Sequence, residues 1–215
     1  MPDAAADDIV VLEVFGEGKT DIGTESSQPR KPIEGVVPIL VHRLCDKPAR
    51  LRVKTKRFAF LQGKRLWQKA WFAKRQASYN QGTRGVVFVL DTEGDDKILG
   101  QLAKGRDNGI ADFPMAIGIA RPCIEAWLLS DAAALRLALQ LPRTPEVSEQ
   151  PESLPADQQD SHHPKRVLAD IGAKSQVQKD AVAARIDLEL SCNRCPLSFE
   201  PFAVEVGARI KPLFA

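Results

Sequence analysis

The chain has 215 residues, 44% of them hydrophobic, and a formal net charge of +2. That is enough apolar content for one domain with an elaboration or two small ones, and it excludes wholesale disorder. The N-terminus, MPDAAADD, lacks the basic start and apolar stretch of a signal peptide, and runs such as GVVFVL are far too short to span a bilayer, so a cytoplasmic protein with no membrane partner is expected.

In chain order, DIVVLEVF (8–15) reads as a buried strand, PIEGVVPILVHRLC as a helix after a proline start, and ARLRVKTKRF as a strand of period two. GKRLWQKAWFAKRQASYNQG is a helix between glycines, RGVVFVLD an apolar strand, DDKILGQLAKGRDNG a helix, and ADFPMAIGIA another strand. This alternation predicts an α/β fold with a parallel or mostly parallel sheet covered by helices on both faces. IEAWLLSDAAALRLALQL follows as one amphipathic helix. Residues 142–164 hold five prolines and little that can pack, which predicts a flexible linker or loop. Three helical stretches, PKRVLADIGA, KDAVAARIDLEL and SFEPFAVEVGARIKPLF, complete the chain. The expected division is an α/β core over 8–141, the linker over 142–164, and a helical extension over 165–215 that packs on the core.

The charge is unevenly spread. From Arg43 to Arg75 there are twelve basic residues and one acid, a net +11, so with +2 overall the remainder carries −9. A one-sided positive field of this size attracts a polyanion. The candidate nucleic-acid contacts are Arg52, Lys54, Lys56, Arg57, Lys64, Arg65, Lys69, Lys74 and Arg75; the alternative is a solvated basic face. Trp67 and Trp71, one helical turn apart among these cations, suit base stacking or a core face.

The turn after the first strand, VFGEGKTDIG, raises a choice between a phosphate loop and a carboxylate loop. A Walker-type loop needs a glycine five positions before Gly18, where Glu13 stands, and a helix directly after the lysine, where DIGTESSQPRKP intervenes. The acids offer a different chemistry. Glu17 follows the first strand, Asp91 ends the third with Glu93, Asp95 and Asp96 just beyond, and Glu125 follows the fourth. A parallel sheet brings such strand ends to one edge, and clustered carboxylates are hard ligands suited to Mg²⁺ or Mn²⁺. The bland alternative makes Glu17 and Glu125 helix caps and the DTEGDD acids a turn. His162, His163, Cys192 and Cys195 supply zinc-ligand types, but a single Cys-x-x-Cys is weak support, and reduced thiols are expected for all four cysteines, Cys45 and Cys123 included.

VFGEGKTD followed by VVFVLDTEGDD resembles the Toprim signature of a glutamate in a glycine turn and an Asp-x-Asp motif, with Glu93 as its second acid here. With RPCIEAWLLSD and CPLSFEPFAVEV added, the chain is similar to a bacterial Toprim-like family of unknown function, related to the nuclease domains of OLD-type (overcoming lysogenization defect) proteins. The resemblance implies a Toprim-like, mostly parallel sheet with an α-helical C-terminal extension. It also implies a divalent-metal site with Glu17, Asp91 and Glu93 as ligands or general base and Glu125 as an additional acid; Asp95 competes with Glu93 for the metal.

Toprim proteins include topoisomerases, primases and nucleases. Tyr79 is the one tyrosine, and no strand-gating domain accompanies it, so phosphodiester hydrolysis is the simplest chemistry. In it metal ions activate water while lysines steady the phosphate, a role for which Lys19 is a candidate; the alternative is a solvated turn lysine. Lys165 and Arg166, at the start of a helix, are also available to phosphates. The expectation is therefore a Mg²⁺- or Mn²⁺-dependent nuclease acting on nucleic acid, with DNA favoured. A role in defence against mobile DNA comes from the resemblance alone, and an ATPase partner protein is left open. The alternative is a non-catalytic nucleic-acid-binding or partner-docking module.

Overall fold

A computed structural model describes residues 9–16, 22, 33–46, 51–57, 65–92, 97–108, 110 and 112–215, with backbone alone at 51 and 55–57. Four strands, β1 (Val10–Gly16), β2 (Leu51–Arg57), β3 (Thr83–Asp91) and β4 (Met115–Ala120), form one sheet in the order β2-β1-β3-β4. Every pairing is parallel. Helices α1 (Val36–Leu44), α2 (Leu66–Tyr79) and α3 (Ile98–Asp107) alternate with the strands. The chain then continues through α4 (Ile124–Leu128), α5 (Ala132–Leu139), α6 (Pro164–Ile171), α7 (Gln176–Ala183), α8 (Leu188–Arg194) and α9 (Phe199–Arg209). An α/β core with a wholly parallel, helix-flanked sheet and C-terminal helices is the layout expected from the sequence. Among the described residues, no helix is long and apolar enough to cross a membrane.

The strands are apolar on both faces because both are covered, and their side chains alternate between two cores. Phe15, Val86, Phe88, Leu90 and Ile117 pack against Ala70, Ala73 and Ala77 of α2 and against Ile98 and Leu102 of α3. Leu12, Val14, Val87, Val89 and Ala116 face α1 and the C-terminal helices. On that second face Gly118 is the point of closest approach: a Cβ there would lie 2.5 Å from Phe202 of α9. The helical extension thus shares a core with the sheet.

Two helical readings are divided by aspartate caps. IEAWLLSDAAALRLALQL becomes α4 and α5, because the Asp131 carboxylate accepts from the amides of Ala133 and Ala134 and starts a new helix. KDAVAARIDLEL spans the end of α7 and the start of α8, where Asp187 accepts from the Leu190 amide. Within 142–164, a short 3-10 turn at Pro151–Ser153 buries Glu152, which accepts from the Leu197 amide and the Ser198 hydroxyl. Ser198 Oγ in turn accepts from Trp127 Nε1 at 2.9 Å. These bonds tie the loop to the start of α9 and to α4.

Candidate metal and phosphate site

The strand order reverses direction between β1 and β3: β1 connects outward to β2 on one side, and β3 connects to β4 on the other. In an open parallel sheet, the crevice beyond the carboxyl ends of two such strands is the usual ligand position. Asp91 ends β3 opposite Ala120, the last residue of β4, and Glu125 lies in the helix that follows β4. Glu17 is the residue after β1 ends at Gly16, but Glu17, Lys19, Glu93 and Asp95 lie outside the described residues.

Asp91 continues the alternation of Val87 and Val89, so its side chain is on the face covered by the C-terminal helices. One carboxylate oxygen accepts from the Ile124 amide at 3.0 Å, one of the amides left unpaired at the start of α4. The other lies 3.4 Å from Lys165 Nζ. Glu125 is fixed by its helix, all five residues of which are buried. Two positions on, Trp127 is wedged against Phe199 and Phe202, with ring centroids 5.3 and 5.1 Å away. Glu125 is 2% exposed; Oε1 accepts from Lys179 Nζ at 2.7 Å, and Oε2 is buried with no hydrogen-bond partner among the described residues.

Charge governs the protonation states here. Burial pushes the Glu125 pKa up, but the charge and hydrogen bond of Lys179, aided by Lys165, outweigh it, and the net shift is downward. The carboxylate is therefore ionised. Cys123 is driven the other way, by burial first and then by the negative charges of Glu125 and Asp91, so its thiol stays protonated and is no nucleophile. His163 is buried, and its pKa is lowered by burial and by Lys165. Its Nδ1 accepts from the Lys165 amide at 3.2 Å, which puts the proton of the neutral ring on Nε2.

Of the sequence candidates, the fold brings Asp91 and Glu125 to one edge and adds Lys165 from α6. Lys179 and His163 join them without having been singled out as members of this site. A lysine in the polar stretch QVQKDAVA gives no sign of reaching a carboxylate 54 positions away. Arg166 instead donates to the Gln158 carbonyl in the preceding loop. His162 is exposed beside Asp160, Cys195 is buried, and all four cysteines are free. Among the described residues, no group of three or more His, Cys, Asp or Glu side chains is arranged to hold a metal ion.

The basic candidates divide as well. Arg52 and Lys54 lie on edge strand β2, half-buried; the side chains of Lys56 and Arg57 are not described, and Lys64 lies outside the described residues. Lys69 and Arg75 on α2 and Arg65 at its N-cap have exposed or half-buried side chains. Lys74 differs from the expectation: it is 5% exposed and donates to the Arg106 carbonyl at 2.9 Å, so it fastens α2 to α3 rather than facing solvent.

Comparison with curated proteins and with solved structures gives no match. A family model described as a domain of unknown function (DUF4276) matches residues 34–206, a span that contains Asp91, Glu125, Lys165 and Lys179. The match covers most of the chain, which therefore belongs to the DUF4276 family.

Proposed function

We propose that the chain is a divalent-metal-dependent nucleic-acid hydrolase whose site lies beyond the carboxyl ends of β1, β3 and β4. The observation that carries this reading is Glu125: a buried, ionised carboxylate near the ends of the strands with one oxygen unpartnered among the described residues. An orphaned buried carboxylate oxygen costs folding energy, and a hard cation is the ligand that satisfies it. Asp91 supplies a second oxygen donor at the same edge, so the donor chemistry fits Mg²⁺ or Mn²⁺. Glu17, with Glu93 or Asp95, completes the proposed set, in keeping with the Toprim resemblance. Such an ion, when bound, supplies Lewis-acid stabilisation and a more acidic water.

The chain's own residues would do the rest. Lys165, 40% exposed at its side chain and paired with Asp91, would meet a phosphate, and Lys179 holds Glu125 ionised. Cys123 and His163 stay neutral and contribute no competing charge. A cytoplasmic setting, an ATPase partner and a defence role belong to the same proposal, the last through the Toprim resemblance alone. A non-catalytic binding module is the second reading. It is favoured by the lysine counterions that Asp91 and Glu125 already possess.

Cleavage of an end-labelled oligonucleotide tests the proposal. Cleavage with Mg²⁺ or Mn²⁺, none with chelator, and a loss of about a hundredfold or more in Asp91→Asn and Glu125→Gln are expected. Unchanged rates in both variants would contradict it.

A further inference from the structure

Trp67, Trp71, Arg75 and Tyr79 recur every fourth residue of α2 and so form one row along it, with Trp67 at the contact with α3. None of the four belongs to the packed core between α2 and the sheet. The Arg75 guanidinium lies 5.0 Å from the Trp71 ring centre and 5.8 Å from that of Tyr79, between the two rings. Lys104 of α3 lies 5.7 Å from the Trp67 ring. Tyr79 is 71% exposed. The row thus alternates aromatic faces with cations over about 18 Å, at 1.5 Å of rise per residue. A depression of about 230 Å³ opens beside it, between Trp71, Arg75, Tyr79 and Ile110, and can admit a planar ring.

The charge on α2 itself has one sign, while Asp107 and Asp112 stand beside Lys74. α2 with its N-cap carries Arg65, Lys69, Lys74 and Arg75 and no acid. On α3 the one acid, Asp107, is bonded to Arg106. Residues 112–215, by contrast, hold fourteen acids against eleven basic residues. One exposed ring, Tyr79, and two half-buried ones, Trp67 and Trp71, beside cations suit a ligand that offers both flat rings and phosphates. A duplex hides its ring faces within the stack; a single strand presents them.

We infer that the Trp67–Trp71–Arg75–Tyr79 row of α2 is a stacking platform for single-stranded nucleic acid. Bases lie against Tyr79 and Trp71, and Arg75 and Lys69 pair with phosphates. α2 connects β2 to β3, so its first turn lies at the strand-end edge that carries Asp91, and the row leads away from that edge. The inference deepens the hydrolase reading by naming the form of its substrate, and it rests on that reading only for the cleavage of a strand already bound.

Fluorescence anisotropy in chelator, with a labelled mixed-sequence 20-nucleotide DNA strand and the duplex formed with its complement, tests it. At about 0.1 M salt the wild type is expected to bind the single strand at least about tenfold more tightly than the duplex. Tyr79→Ala and Trp71→Leu should each weaken single-strand binding about five- to a hundredfold, the worth of one stacked base. Arg75→Gln should lower the salt slope by about one. Tyr79 is too exposed for its loss to unfold the chain, and Trp71→Leu retains apolar bulk against Phe72, so a null result in either speaks against stacking. Equal affinity for the duplex, unchanged affinity in both aromatic variants, or no binding of either probe would overturn the inference; the last would leave the row to a protein partner. Asp91→Asn separates the two proposals. If it binds the strand normally but cannot cleave it, both stand; if it cleaves normally, the assignment of the hydrolytic site to Asp91 falls and the platform remains.

Discussion

Glu125 and Lys179 are 54 positions apart in sequence and 2.7 Å apart in space, and their ion pair is largely shielded from water, with side chains 3% and 12% exposed. The pair joins the helix after β4 to α7 of the extension, so the candidate site and the packing of the C-terminal helices depend on the same contact.

Lys179→Met should therefore destabilise the fold more than a surface change would. Breaking a buried pair leaves an uncompensated carboxylate, a cost of about 3–5 kcal/mol. Adding Glu125→Gln should recover most of it, because the stranded charge is then gone. Urea unfolding of the two variants checks this; a double variant no more stable than Lys179→Met would contradict it.

The same carboxylate sets an acid-side limit. Its folded pKa lies below the ordinary 4.5, so its contribution is fully present above that value and is lost as pH falls through the folded pKa. Stability measured from about pH 7 down to about pH 3 should fall less steeply in the Glu125→Gln/Lys179→Met double variant than in the wild type.

His163 has the opposite chemistry and the same direction. Its folded pKa is depressed below the ordinary 6.5 by burial and by Lys165, so the unfolded chain takes up the proton first as pH falls below that value. Stability should be full above about pH 6.5 and decline below it, and His163→Gln should remove that part of the slope. Proton NMR of the imidazole should show a titration midpoint below 6.5; a midpoint above it would refute the assigned neutral form.

Gly118→Ala tests the contact between sheet and extension. The added methyl would meet Phe202 at 2.5 Å, with Val89 on its other side at 3.1 Å. Overpacking of this kind costs about 1–3 kcal/mol. A lowered Tm is expected, whereas an unchanged Tm would show that α9 yields freely.

The layout and half of the described site were legible in the sequence for a physical reason: an apolar run that ends in an acid marks a buried strand and its edge at once. RGVVFVLD gave β3 and Asp91 together, and RPCIEAWLL gave Glu125 on the element after β4. Lys179 was not legible, since a lysine in a polar helix has the same local pattern whether it meets solvent or a buried carboxylate. The same limit hid Glu152. Its neighbours in a proline-rich stretch suggested a solvated loop, while its partners Leu197 and Ser198 are 45 and 46 positions away. Asp131 left a visible local sign, an aspartate before a run of alanines, but the continuous apolar periodicity on either side outweighed it.

Calorimetric titration with Mn²⁺ tests the metal site most directly, because it reads binding without requiring turnover. The wild type should bind Mn²⁺ saturably, and Asp91→Asn and Glu125→Gln should each weaken that binding about tenfold or more while their circular dichroism stays native. No saturable binding by the wild type, or equal affinity in both variants, would contradict a metal site at the ends of these strands.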